Sequence, residues 1–111
     1  MKTTTEARDH QTILSVLEER LDASNSTELR EAILGYLDSE GCQLVLDLSA
    51  VSFIDSSGLG ALLSGFKTAN LRSGRLVLAG LQPRVQSMFE LTRLHRVFEI
   101  FPSTQAALSS A

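Results

Sequence analysis

The chain has 111 residues, 43% of them hydrophobic, which is enough for one buried core and too few for two. Thirteen acidic against ten basic side chains leave a formal charge of −3, with the lysines and arginines scattered, and this excludes a non-specific nucleic-acid binder that works through a basic stripe. A single cysteine, Cys42, excludes an internal disulfide and a thiolate metal cluster, and no apolar run approaches the roughly 18 residues of a membrane span.

Met1 to His10 is polar and lacks an apolar signal region, so a soluble, cytoplasmic chain with no membrane insertion is expected. Thr3 to Asp9 reads as an edge strand, and Ile13 to Leu17 as a short buried strand. After Asp22 the period changes. Ser24-Asn25-Ser26 offers N-caps, and Leu29, Ala32, Ile33, Tyr36 and Leu37 recur at helical spacing until Gly41. Cys42 then sits at a strand start as a partly buried, inert thiol. Leu44 to Leu48 is apolar enough for a central strand buried on both faces, which requires helices to cover it.

A second helix is expected to start near Ser57, with Leu59, Leu62, Leu63, Phe66 and Asn70 on one stripe and Gly74 closing it. Its other side carries Gly60, Ala61, Ser64 and Gly65, for which close packing inside the domain is favoured over a partner contact. Arg75 to Leu81 reads as another buried strand. Pro83 suits the first turn of a third helix carrying Val85, Met88, Phe89 and Leu91 or Thr92. Phe98 to Phe101 forms a last short strand. Pro102 ends it, and Ser103 or Thr104 caps a final short helix through Ala106, Ala107 and Leu108.

The run Leu44 to Ile54, followed by Asp55-Ser56-Ser57-Gly58-Leu59-Gly60, places small polar residues at a strand-to-helix junction. Helix starts carry amides without partners and a positive dipole end. Capping by Asp55 or a serine is the default there. The same segment, with Leu21-Asp22 and Arg75 to Leu81, resembles the STAS domains of bacterial anti-sigma factor antagonists, and the resemblance covers nearly the whole chain. It implies one STAS-like α/β domain over residues 1–111, with a mixed sheet of about four or five strands, about four helices, and the serine loop at the end of a central strand. Alignment on D-S-S-G implies that Ser56 is the phosphoacceptor, with Ser57 as fallback. A partner-binding surface of Asp22, Asp55, Ser56, Ser57, Gly58, Leu59 and Gly60 is implied as well. Glu19 departs from the pattern by standing where the family often has glycine.

The resemblance further implies a function without catalysis. The unphosphorylated chain captures an anti-sigma factor that is a serine kinase and so frees a sigma factor for transcription, while a separate serine phosphatase restores this active, unphosphorylated form. ATP belongs to the kinase, the chain needs no cofactor and touches no nucleic acid, and self-association is left open. The alternative is a STAS subunit of an ABC lipid-transport complex that binds its ATPase.

An enzyme reading finds little support in the residues. A serine nucleophile needs a base such as His10 or His95, and G-x-S-x-G fails because Phe53-Ile54-Asp55 occupies the approach to the serine. Two distant histidines with one cysteine make no metal centre. Gly58-Leu59-Gly60 lacks the third glycine of a dinucleotide fingerprint, since position 63 is Leu, and no Walker lysine occurs.

Overall fold

The computed structural model describes residues 1–8 and 10–110, so Asp9, the expected end of the first strand, and Ala111 lie outside the described residues. Seven strands form in chain order: β1 (Thr3–Arg8), β2 (Gln11–Val16), β3 (Arg20–Leu21), β4 (Gln43–Asp47), β5 (Phe53–Ile54), β6 (Arg75–Ala79) and β7 (Ile100–Phe101). Four helices alternate with them: α1 (Ser26–Tyr36), α2 (Ser56–Leu71), α3 (Pro83–Leu91) and α4 (Thr104–Ser109). The main sheet has the order β1-β2-β4-β6-β7; β1 runs antiparallel to β2, and the other pairs are parallel.

β4 therefore lies at the centre, as its apolar run requires, and the pleat divides its side chains. Leu44 and Leu46 join Leu14, Val16, Leu76 and Leu78 in a core with buried residues of α1, α2 and α3. Val45 points the other way, packing with Ile13, Val77, Ala79 and Ala107 beneath α4. Phe98 joins the larger core edge-on to both Phe66 and Phe89, with ring centroids 5.2 and 5.7 Å apart. It does so from the turn that follows a short 3-10 segment, Leu94–Arg96, so the last strand is shorter than expected.

Three helices differ from their sequence patterns. Tyr36 and Leu91 are exposed, and Asn70 is exposed with them. On α2 the residues that are fully buried are Gly58, Ala61, Leu62, Gly65 and Ala69, whereas Leu59, Leu63 and Phe66 are half-buried at the core margin. Ala61 and Gly65 of the small side thus face inward, while Gly60 is exposed. At Gly65 an added Cβ would come within 2.5 Å of Ile33 Cγ2, so the glycine sets how closely α1 and α2 pack.

Ends are closed by identifiable groups. Pro83 opens α3 with its φ already suited to a helix, and Ser103 caps α4 by accepting from Ala106 N at 3.1 Å. Cys42 lies half-buried just before β4, its Sγ 2.9 Å from Ser39 Oγ. No described helix is long and apolar enough to cross a membrane.

Candidate functional site

The chain does not pass straight from the central strand to the serine segment. After β4 it turns through Leu48–Ser52 and forms β5, which pairs in parallel with β3, Arg20 opposite Phe53 and Leu21 opposite Ile54. This two-residue ladder joins the Asp22 turn to the Asp55–Ser56 segment. The buried Leu21 carbonyl accepts from Asp55 N at 3.0 Å.

Asp55 is the N-cap of α2. Its backbone is extended, and its Oδ1 accepts from Ser57 N at 2.8 Å and from Gly58 N at 3.0 Å. The carboxylate therefore already holds two of the first-turn amides that an incoming anion would seek. Ser56 begins the helix one residue earlier than expected, with an exposed side chain. Ser57 is half-buried.

Gly58, expected on a partner face, is buried instead: a Cβ there would stand 2.7 Å from Leu21 O and 2.9 Å from Ile54 Cγ2. It positions the segment by letting the β3 backbone cross the helix start. Gly60 is exposed one turn beyond Ser56, and an added Cβ would meet nothing within 4 Å. Leu59 is half-buried and packs at the margin of the core.

Asp22 does not cap α1. Its Oδ1 accepts from Ser24 Oγ at 2.6 Å and Ser24 N at 3.0 Å, and Arg20 Nε lies 3.5 Å from its Oδ2. Those hydrogen bonds, from the Ser24 hydroxyl and then its amide, with Arg20 adding opposite charge, hold the Asp22 carboxyl below its ordinary range. Asn25 occupies the N-cap position of α1 without a capping hydrogen bond from its side chain. Its amide turns back, accepting from Asp22 N at 3.0 Å and donating to Arg20 O at 2.8 Å. Asn25 is thus spent on shaping the Asp22 turn.

Glu19 fits where the resemblance would have glycine, because the non-glycine residues with positive φ among those described are Ser73 and Arg93. Its carbonyl accepts from Ser52 N at 2.8 Å and Ser52 Oγ at 3.2 Å, pinning the approach to β5. Of the two histidines, His95 has its Nδ1 3.3 Å from Phe89 O at the end of α3. Among the described residues neither Ser56 Oγ nor Ser57 Oγ is hydrogen-bonded to a histidine.

The STAS domain family model matches residues 2–107. An anti-sigma-B factor antagonist of Listeria monocytogenes is 40% identical over 72% of this chain and 70% of its own length. The chain belongs to the STAS family of anti-sigma factor antagonists. This STAS domain also superposes on the crystal structure of an anti-sigma factor antagonist from Mycobacterium paratuberculosis with a TM-score of 0.84 and 29% identity, covering 98% of this chain and 92% of that one. A STAS domain protein from Planctomyces limnophilus gives a TM-score of 0.88 at 20% identity over 97% and 96% of the two chains, a likeness of fold alone. Within the STAS domain, the β3–β5 ladder sets Asp22 beside Asp55, and Ser56, Ser57 and Gly60 follow in the first turns of α2. That ladder was missed in the sequence, as was the part played by Leu21, although Leu21-Asp22 carried part of the resemblance.

Proposed function

We infer that this STAS domain is an anti-sigma factor antagonist switched by phosphorylation of Ser56. Unmodified, it binds an anti-sigma factor that is a serine kinase, and the sigma factor is released to transcription in the cytoplasm. The kinase supplies ATP; the Ser56 Oγ–P bond forms as the bond from the γ-phosphorus to the ADP oxygen breaks. A serine phosphatase reverses the step. The named relatives belong to sigma pathways, which favours this reading over a transport subunit that binds an ABC ATPase.

The observation that carries the reading is the exposed Ser56 hydroxyl at the first position of α2, beside an Asp55 carboxylate that already occupies the helix-start amides. A phosphate adds about −1.5 to −2 charge at neutral pH. With Ser57 N and Gly58 N engaged by Asp55, the new charge faces a carboxylate where a sequence-based view would leave free donors. A kinase surface fitted to a neutral hydroxyl must then desolvate two adjacent anions, and the complex separates while the fold persists.

The test is to incubate the chain with its anti-sigma kinase and ATP and to map the modified residue by mass spectrometry. Phosphate on Ser56, absent from Ser56→Ala, is expected. Phosphate confined to Ser57 would move the switch to the fallback residue, and none on either would reject it.

A further inference from the structure

Between β5 and the first turns of α3 the surface opens into a groove of about 190 Å³ lined by Ser52, Phe53, Ile54, Arg84, Val85 and Met88. Ile54 and Val85 are buried at its floor, and Phe53 and Met88 stand half-buried at the mouth. This volume is below the ~300–1,000 Å³ of small-molecule sites and suits one large apolar side chain, the kind of anchor that dominates protein interfaces. The charges around it are unequal. Arg20 lies with its Cζ 4.1 Å from the centroid of the Phe53 ring and is engaged by Asp22. Arg84 is exposed and makes no ion pair or side-chain hydrogen bond among the described residues. Phe53 and Ile54 run directly into Asp55 and Ser56, so the groove is continuous with the switch segment.

We propose that this groove is a second contact for the anti-sigma kinase, taking one large apolar side chain of the kinase while Arg84 pairs with a carboxylate beside it. The proposal rests on the reading of this chain as the antagonist of a kinase-type anti-sigma factor, and it divides the interface into two parts. Ser56 decides whether the complex holds, and the groove decides which kinase is held. A kinase with a basic residue at the matching position meets an unpaired like charge and is rejected.

Affinity and association rate for the purified anti-sigma kinase of the same cell are measured with the parent chain, its Ser56-phosphorylated form, Arg84→Glu and Met88→Lys. Arg84 is exposed and Met88 is half-buried at a mouth, so both variants are expected to melt close to the parent. Arg84→Glu slows association and weakens affinity by about tenfold, and Met88→Lys weakens it by about tenfold or more through the lost anchor. If both variants bind as the parent does while phosphorylation still releases the kinase, the groove is overturned and the switch at Ser56 stands. If Arg84→Glu instead abolishes self-association in sedimentation with kinase affinity unchanged, the groove belongs to a second copy and the proposal is overturned. If the parent fails to bind the kinase at all, the antagonist reading falls and the groove with it.

Discussion

Gly58 and Gly60 lie two positions apart in the first turns of α2, and their surroundings are opposite. A methyl at position 58 would press on the Leu21 carbonyl, a backbone atom that moves only if β3 moves. Gly58→Ala should therefore cost about 1–3 kcal/mol, the usual range for overpacking. At position 60 the methyl enters open space, and alanine removes the conformational penalty of a helical glycine, so Gly60→Ala should gain about 0.5–1 kcal/mol. Urea unfolding of the two variants checks this: midpoints that move in the same direction would contradict the placement of one glycine. Should Gly60→Ala stabilise the fold yet weaken the kinase complex, the exposed glycine is kept for a close partner approach.

At the scale of elements, long apolar runs were legible and short pairings were not. Leu44 to Leu48 announced the central strand, since only a strand covered on both faces tolerates so continuous a run. The β3–β5 ladder has two residues on each side and no periodicity of its own, so nothing local marked it. Asn25 looked like a cap because its type and position fit one; its amide is instead spent on Arg20 O and Asp22 N, a contest between local hydrogen bonds that residue type does not decide. The serine segment was legible as a capped helix start, and Asp55 does cap it. Its exposure and its tie to Asp22 required the fold. Further along, Arg75 at the start of β6 meets Glu99 through two hydrogen bonds of 3.0 and 2.9 Å and also donates to Ser110 Oγ at 3.1 Å. The Arg75 guanidinium, by hydrogen bond and then by charge, holds the Glu99 carboxyl below its ordinary value of 4.5. The contribution of the pair is therefore complete above that value and is lost as pH falls through the lower folded value. Both side chains are partly exposed, so Glu99→Gln should cost no more than about 1 kcal/mol at neutral pH. Denaturant unfolding should show that difference closing in acid; a gap unchanged at pH 3 would contradict the pairing.

For the whole molecule, the two sides of the sheet carry unequal weight. The larger core, under α1, α2 and α3, holds α2 in place, and Leu44 is 1% exposed within it between Thr12 and Leu76 in register. Leu44→Asp would bury an unpaired carboxylate there and should cost several kcal/mol, of the order seen when a buried ion loses its partner, about 3–5 kcal/mol. An unchanged unfolding midpoint would show that β4 is not central. With that core intact, phosphorylation of Ser56 alters charge at one rim of a rigid domain, so the modified chain should melt near the unmodified one. The most direct measurement is the affinity of the anti-sigma kinase for the unmodified chain, the Ser56-phosphorylated chain and Ser56→Ala. The account predicts tight binding of the first and third and a large loss for the second; equal binding of all three would place the switch elsewhere.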